Sequence, residues 1–274
     1  MRNAIKMSIL NWIRERETEG QYTFSVKEAQ SAFPSMSSGI LQNELFRLSG
    51  HREITAVHKG FYVRIPARYR NWEYLPAYFY IDQLMEYLKK PYYISLLSAG
   101  ELHGAAHQRP QRLCVFTTLP AAKTSERLNP IIAWNYRRII PESLLLKKQS
   151  ETGEIRYSNA ELTAVDLVQY SHRIGGMSRA ATVLAELLEC TDFKNADESL
   201  FKIGTVSAFQ RLGYIMEDVL NDSKQAEELY ERLHNARLQF RWSPLSKQIR
   251  HGIIYDQNSR WHIHVNVIPE VDDL

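Results

Sequence analysis

The sequence predicts an α+β chain in two modules, residues 1–70 and residues 71–274. Amphipathic helical stretches followed by two short β-rich runs come first. A basic, aromatic connector, RIPARYRNWEY over Arg64–Tyr74, separates them from the rest. Beyond it, short apolar strands precede a run of helices, the element order of an α+β domain. The second module is organised around Tyr92–Thr118, YYISLLSAGELHGAAHQRPQRLCVFTT. Leu96, Ala99, Leu102 and Ala106 recur at spacings of three and four, which makes one helix face apolar. Leu113–Phe116 is almost wholly apolar, as a strand buried on both faces requires.

Composition narrows the function classes. The chain has 274 residues, 44% of them hydrophobic, enough for a substantial core. Its 34 basic and 31 acidic residues leave a net charge of only +3, so any polyanion surface must come from local clustering. The two cysteines, Cys114 and Cys190, make neither a disulfide framework nor a zinc site, which fits a reducing cytosol. The first residues, MRNAIKMSILNWIRERE, hold charges that interrupt every apolar span. They predict no signal peptide, no transmembrane helix and a cytoplasmic protein.

In the first module, Ile5, Ile9, Leu10 and Ile13 line one face of a helix over Asn3–Glu17, stopped by Gly20. Ser25 and Glu28 form a capping box that starts a short helix, Val26–Ala32, and Pro34 follows its end. A third helix is expected over about Ser37–Leu48, with Ile40, Leu41, Leu45 and Leu48 buried. Glu53–Val57 and Phe61–Ile65 flank the His58-Lys59-Gly60 turn as a hairpin. Helix, short helix, turn, helix and hairpin is the order of a winged helix-turn-helix. Such a module reads double-stranded DNA by placing the polar face of one helix in the major groove. Ser38, Gln42, Asn43 and Arg47 are that face. His58 and Lys59 sit at the wing tip. Arg68 and Arg70 in the connector are further phosphate contacts, if the connector is more than a linker. The competing reading keeps the winged helix as a purely structural, protein-contacting module.

Several stretches then resemble one family. YYISLLSAGELHG (from Tyr92), AELTAVDLVQYSHRIGG (Ala160–Gly176), QRLGYIMEDVL (Gln210–Leu220) and SRWHIHVNV (Ser259–Val267) resemble AbiEi-family antitoxins. The pattern from Leu45 to Val63 resembles the winged helix of the same family. The resemblance implies an N-terminal winged helix-turn-helix that represses its own promoter, followed by a larger mixed α/β antitoxin domain. It implies a type IV toxin–antitoxin, or abortive infection, system. The partner would be a nucleotidyltransferase-type toxin, countered without a stable complex.

Nothing in the sequence argues for an enzyme, cofactor or metal centre. His103 and His107 are four apart but have no identifiable third ligand, and Gly104 weakens the helix between them. His262 and His264 share a strand face. Gly175-Gly176-Met177-Ser178-Arg179 resembles an anion-binding helix start, but a tight helix–helix turn is the favoured reading, and Ser178 can cap the next helix. Asp166 is expected to pair with a base such as Arg173. Two basic stretches remain open between a solvated face and a polyanion surface. One holds Arg137, Arg138, Lys147 and Lys148, the other Arg237, Arg241, Lys247 and Arg250.

Overall fold

The computed structural model describes residues 8–72, 74–105, 110–120, 131–248 and 253–271. It is a mixed α/β structure. Helix α1 (Ile9–Thr18) starts where the Ser8 hydroxyl accepts from the Asn11 N–H at 3.2 Å. Strand β1 (Thr23–Ser25) leads directly into α2 (Val26–Ala32). The capping box is present. The Glu28 N–H donates to Ser25 Oγ at 3.1 Å, and the Ser25 N–H donates to Glu28 Oε2 at 2.7 Å. Helix α3 (Ser38–Gly50) is capped by Ser37. Strands β2 (Ile54–His58) and β3 (Phe61–Arg64) form the hairpin, and β1 joins it antiparallel in the order β1-β3-β2. Ile9, Ile13, Phe24, Ala29, Leu41, Leu45, Leu48 and Ile54 close one core under these elements. Each such side chain, when fully buried, stabilises by about 1.5–3 kcal/mol if aliphatic and large.

Helix α4 (Ile81–Tyr87) follows, then β4 (Tyr92–Ile94) and α5 (Leu96–His103), which ends at Gly104 in the left-handed conformation, φ 84°. Next come β5 (Leu113–Thr117), β6 (Ile132–Tyr136), β7 (Leu145–Ser150) and β8 (Gly153–Ser158). They form a five-stranded sheet in the order β6-β5-β4-β8-β7, with β4 parallel to β8. All five residues of β5 are buried, as its apolar run predicts. The helices are α6 (Ala160–Gln169), α7 (Met177–Leu187), α8 (Glu198–Ile203), α9 (Val206–Tyr214), extended by a π-helical turn over Ile215–Val219, and α10 (Ser223–Asn235). Short strands β9 (Ser243–Pro244), β10 (Asp256–Asn258) and β11 (Ile263–Val265) make a third sheet.

Packing divides the chain into two compact units. The first draws on Met1–Tyr92, Thr117–Arg138 and Lys147–Ile155, the second on Tyr93–Phe116, Ile139–Leu146 and Arg156–Leu274. The residues of the five-stranded sheet are divided between them. In the first unit, the segment after Arg70 packs back on the hairpin and α1 region. Phe79 meets Tyr22 edge-on at 4.9 Å, and Tyr87 lies 4.9 Å from Phe61.

Some expectations need correction. Ile40 is 55% exposed, because the buried stripe of α3 is confined to Leu41, Leu45 and Leu48. Arg64, read as the start of a connector, ends β3 and is buried in an ion-pair network. Helix α7 starts at Met177 behind Gly176. Ser178 does not cap it, and its hydroxyl accepts instead from the Glu270 N–H at 3.2 Å. The strand expected to hold both His262 and His264 covers only Ile263–Val265.

Candidate nucleic-acid interface and antitoxin core

Burial of Leu41, Leu45 and Leu48 turns the opposite side of α3 outward. Ser38, Gln42, Asn43 and Arg47 are all exposed there, so the structure places the four expected helix residues on accessible positions. The Arg47 guanidinium is paired one turn back with Glu44 Oε2, at 2.9 and 3.1 Å. One residue of this face was missed from sequence. Phe46 is 82% exposed between Asn43 and Arg47. Its signal was available: at 100° per residue it lies far from the stripe made by positions 41, 45 and 48.

The hairpin turn is set by Gly60 at φ 75° and by a register shift between Ala56 and His58. Its tip is not free-standing. The Tyr87 hydroxyl donates to the Lys59 carbonyl at 3.3 Å, and the His58 ring meets Tyr87 at 5.9 Å. The connector cations are also engaged. Arg70 donates to both Glu53 carboxylate oxygens at 2.9 Å. Arg68 pairs with Glu151 and lies 4.8 Å over the Tyr69 ring.

The two basic stretches fall in different units. Arg137, Arg138, Lys147 and Lys148 belong to the first unit, whereas Arg237, Arg241 and Lys247 belong to the second. Arg137 is only 9% exposed and so does not contribute to a surface. Lys147 pairs with Glu154 at 2.7 Å. Arg138, Lys148, Arg237 and Arg241 are exposed, and Arg250 lies outside the described residues.

The second unit carries a buried polar network at its centre. Asp166 on α6 is fully buried, and its Oδ2 accepts from the Tyr93 and Ser95 hydroxyls, both at 2.9 Å. It therefore anchors α6 to the β4–α5 junction and does not pair with Arg173. Burying a carboxylate is costly unless hydrogen bonds replace its water, which these hydroxyls do in part. Tyr93 also stacks on Phe116 at 5.2 Å, and Phe116 meets Tyr170 at 4.9 Å. Burial pushes the Cys114 thiol pKa up, so it is an inert core group. His103 lies 2.8 Å from the Ser158 carbonyl, a structural contact, and His107 lies outside the described residues. Among the described residues no cluster of three or more His, Cys, Asp or Glu could hold a metal ion. His264 lies in β11 but His262 precedes it in the left-handed conformation, φ 51°, so the two do not share a strand face, although both rings pack on Trp242, at 4.8 and 5.0 Å. No helix of the described residues is long and apolar enough to cross a membrane.

Comparison with known proteins bears on the same region. Residues 93–218 match the family model of the AbiEi antitoxin C-terminal domain. That span contains Tyr93, Ser95 and Asp166. No match is found among curated proteins. Among solved structures, the chain is similar to the Rv2827c protein from Mycobacterium tuberculosis. The two share 12% identity over 92% of this chain and 89% of that one, with a TM-score of 0.68, which is a likeness of fold. Residues 93–218, which hold the strand from Tyr93, the buried Asp166 and the helices after it, are thus similar to the C-terminal domain of AbiEi antitoxins.

Proposed function

We propose that the chain is a DNA-binding autorepressor whose second part counters a nucleotidyltransferase-type toxin in the cytoplasm, as a type IV antitoxin and without catalysis. In this reading α1–α3 with the β1-β3-β2 sheet is a winged helix-turn-helix, and α3 is its recognition helix. The carrying observation is the polar outer side of α3, with Ser38, Gln42, Asn43 and Arg47 exposed above a buried leucine stripe. Gln and Asn can pair with an adenine edge, and Arg with guanine or phosphate. The functional boundary is placed near Arg70. Every strand of the first sheet and its core lie before it, and every strand of the five-stranded sheet lies after it.

Gel shifts against the chain's own upstream promoter test this reading. Alanine at Gln42, Asn43 or Arg47 should cost about 1–3 kcal/mol on the operator and much less on random DNA, wherever that residue reads a base. An equal loss on both DNAs would reduce the residue to backbone positioning, and no loss for all three would remove α3 from the interface. Salt gives an independent check. Arg47, Lys59, Arg68 and Arg70 are the candidate phosphate contacts, but Arg70 is held by Glu53. Three remaining contacts give an expected log–log slope of about −2.7 per protomer, using roughly −0.9 per phosphate. A slope near zero would sink the DNA reading.

One observation favours a second reading, in which α3 docks on a protein partner such as the toxin. Phe46 and Ile40 expose apolar surface on the same helix. A Phe46→Ala variant that still shifts operator DNA but no longer protects against the toxin would support direct contact.

A further inference from the structure

We propose that Tyr87 of α4 is a positioning residue that holds the tip of the wing, so that Lys59 meets one backbone phosphate of the operator. The inference rests on the winged-helix reading above and adds to it the residue that fixes the wing.

The wing has little support of its own. The register shift between Ala56 and His58 leaves Val57 outside the pairing of β2 with β3. Such a shift disrupts the ladder locally and bends the strand. The turn beyond it depends on Gly60 at φ 75°. Two contacts from other elements secure that turn. The Val26 N–H, at the start of α2, donates to the Gly60 carbonyl at 2.9 Å. From the α4 side, the Tyr87 hydroxyl donates to the Lys59 carbonyl at 3.3 Å. His58 Nδ1 lies 3.1 Å from the same oxygen. The Tyr87 ring is 4.9 Å from that of Phe61 and 5.9 Å from that of His58. A Cβ at Gly60 would lie 3.2 Å from the Tyr87 oxygen, so the missing side chain is what lets the hydroxyl come this near. One side chain thus touches every residue of the tip, from His58 to Phe61.

The base of this support is firm. Helix α4 buries Ile81, Leu84 and Met85. Phe79, just before it, packs edge-on against Tyr22 at 4.9 Å. The wing and α4 belong to the same compact unit. Tyr87 itself is 38% exposed, so it acts at the rim of this packing and not at its centre.

Lys59 is the group that profits. Its side chain is exposed, and it forms no ion pair among the described residues. Its ammonium is therefore available to an anion, while the backbone that carries it is already held. A loop ordered before binding does not lose that freedom on binding, and the saving appears as affinity.

The test combines gel shifts of the full chain on its upstream promoter, over a range of salt, with hydrogen exchange of residues 57–62 in the free protein. The parent slope is expected at about −2.7 per protomer, and Lys59→Ala should reduce it to about −1.8, the loss of one phosphate. Tyr87→Ala should give the same reduced slope and faster exchange of the tip. The double variant should lose nothing more, because both changes remove one contact. Tyr87→Phe keeps the ring against Phe61 and should fold as the parent does. It should speed exchange of the tip and weaken operator binding about threefold, the loss of one hydrogen bond. General instability would lower binding at every salt concentration without changing the slope. Additive slope losses in the double variant, or a parent slope retained in Lys59→Ala, would overturn the inference. So would parent-like slope and exchange in both Tyr87 variants. A parent slope near zero would instead remove the winged-helix reading itself, and this inference with it.

Discussion

Gly213→Ala is expected to disrupt the second unit. Gly213 lies on α9 against Trp261, which is fully buried. A Cβ at position 213 would come closer than 3.0 Å to three carbons of the indole ring. The ring cannot swing away. Tyr230 meets it edge-on at 5.3 Å, Phe240 stacks on it at 6.0 Å, and its Nε1–H donates to Glu217 Oε2 at 2.6 Å. Overpacking a tight core costs about 1–3 kcal/mol and more where neither partner can relax, so a loss above about 3 kcal/mol is expected here. Trp261→Ala removes the ring instead and should cost about 3–5 kcal/mol. Urea unfolding followed by circular dichroism measures both. Under the proposed division of labour, both variants lose protection against the toxin while still shifting operator DNA. A Gly213→Ala protein as stable as the parent would mean that α9 and Trp261 can move apart, contrary to the packing described above.

The second large effect belongs to the first unit. Arg64 is 5% exposed at the end of β3. Its Nε donates to Glu17 Oε2 at 2.9 Å, and its Nη1 donates to the Glu53 carbonyl at 2.8 Å and to the Glu53 carboxylate. Glu53 also holds Arg70. One carboxylate thus ties the start of β2, the end of β3 and the segment after it. Glu53→Ala leaves a buried guanidinium short of one partner and should cost about 3–5 kcal/mol. Glu151→Ala is the contrast. Its partner Arg68 has a side chain 60% exposed, and an exposed pair contributes only about 0–1 kcal/mol. Thermal unfolding should therefore separate the two variants widely. Operator binding should fall in Glu53→Ala by at least the unfolded fraction. In Glu151→Ala it should hold, because the exposed Arg68 pair is weak enough to yield to phosphate in the parent as well. Equal stability of the two variants would show that the Arg64 network is dispensable.

Both effects rest on residues far apart in sequence, and this is where sequence reading ran out. Glu17 and Arg64 are 47 positions apart, and Gly213 and Trp261 are 48. No periodicity links such pairs. The region that matches the antitoxin family model was partly legible. Its strand and helix patterns were visible as a resemblance, but the role of Asp166 was assigned to the wrong partner. A nearby base looks suitable by distance along a helix. The hydroxyls that hold this carboxylate come instead from Tyr93 and Ser95, over 70 residues earlier.

What the sequence determined by itself was local. The Ser25–Glu28 box and the Val26–Ala32 helix follow from groups within one turn, because capping and helix hydrogen bonds reach only three or four residues. The hairpin around Gly60 and the wholly buried β5 follow likewise from turn chemistry and an unbroken apolar run. Tertiary structure alone decided the rest. It paired β1, three residues long, with β3, since a strand that short carries almost no pattern of its own. It left Phe46 and Ile40 outside, because a helix buries only the stripe its neighbours cover. It also gathered buried charges such as Arg64 and Arg211, whose partners are chosen by the folded neighbourhood and not by adjacency in the chain.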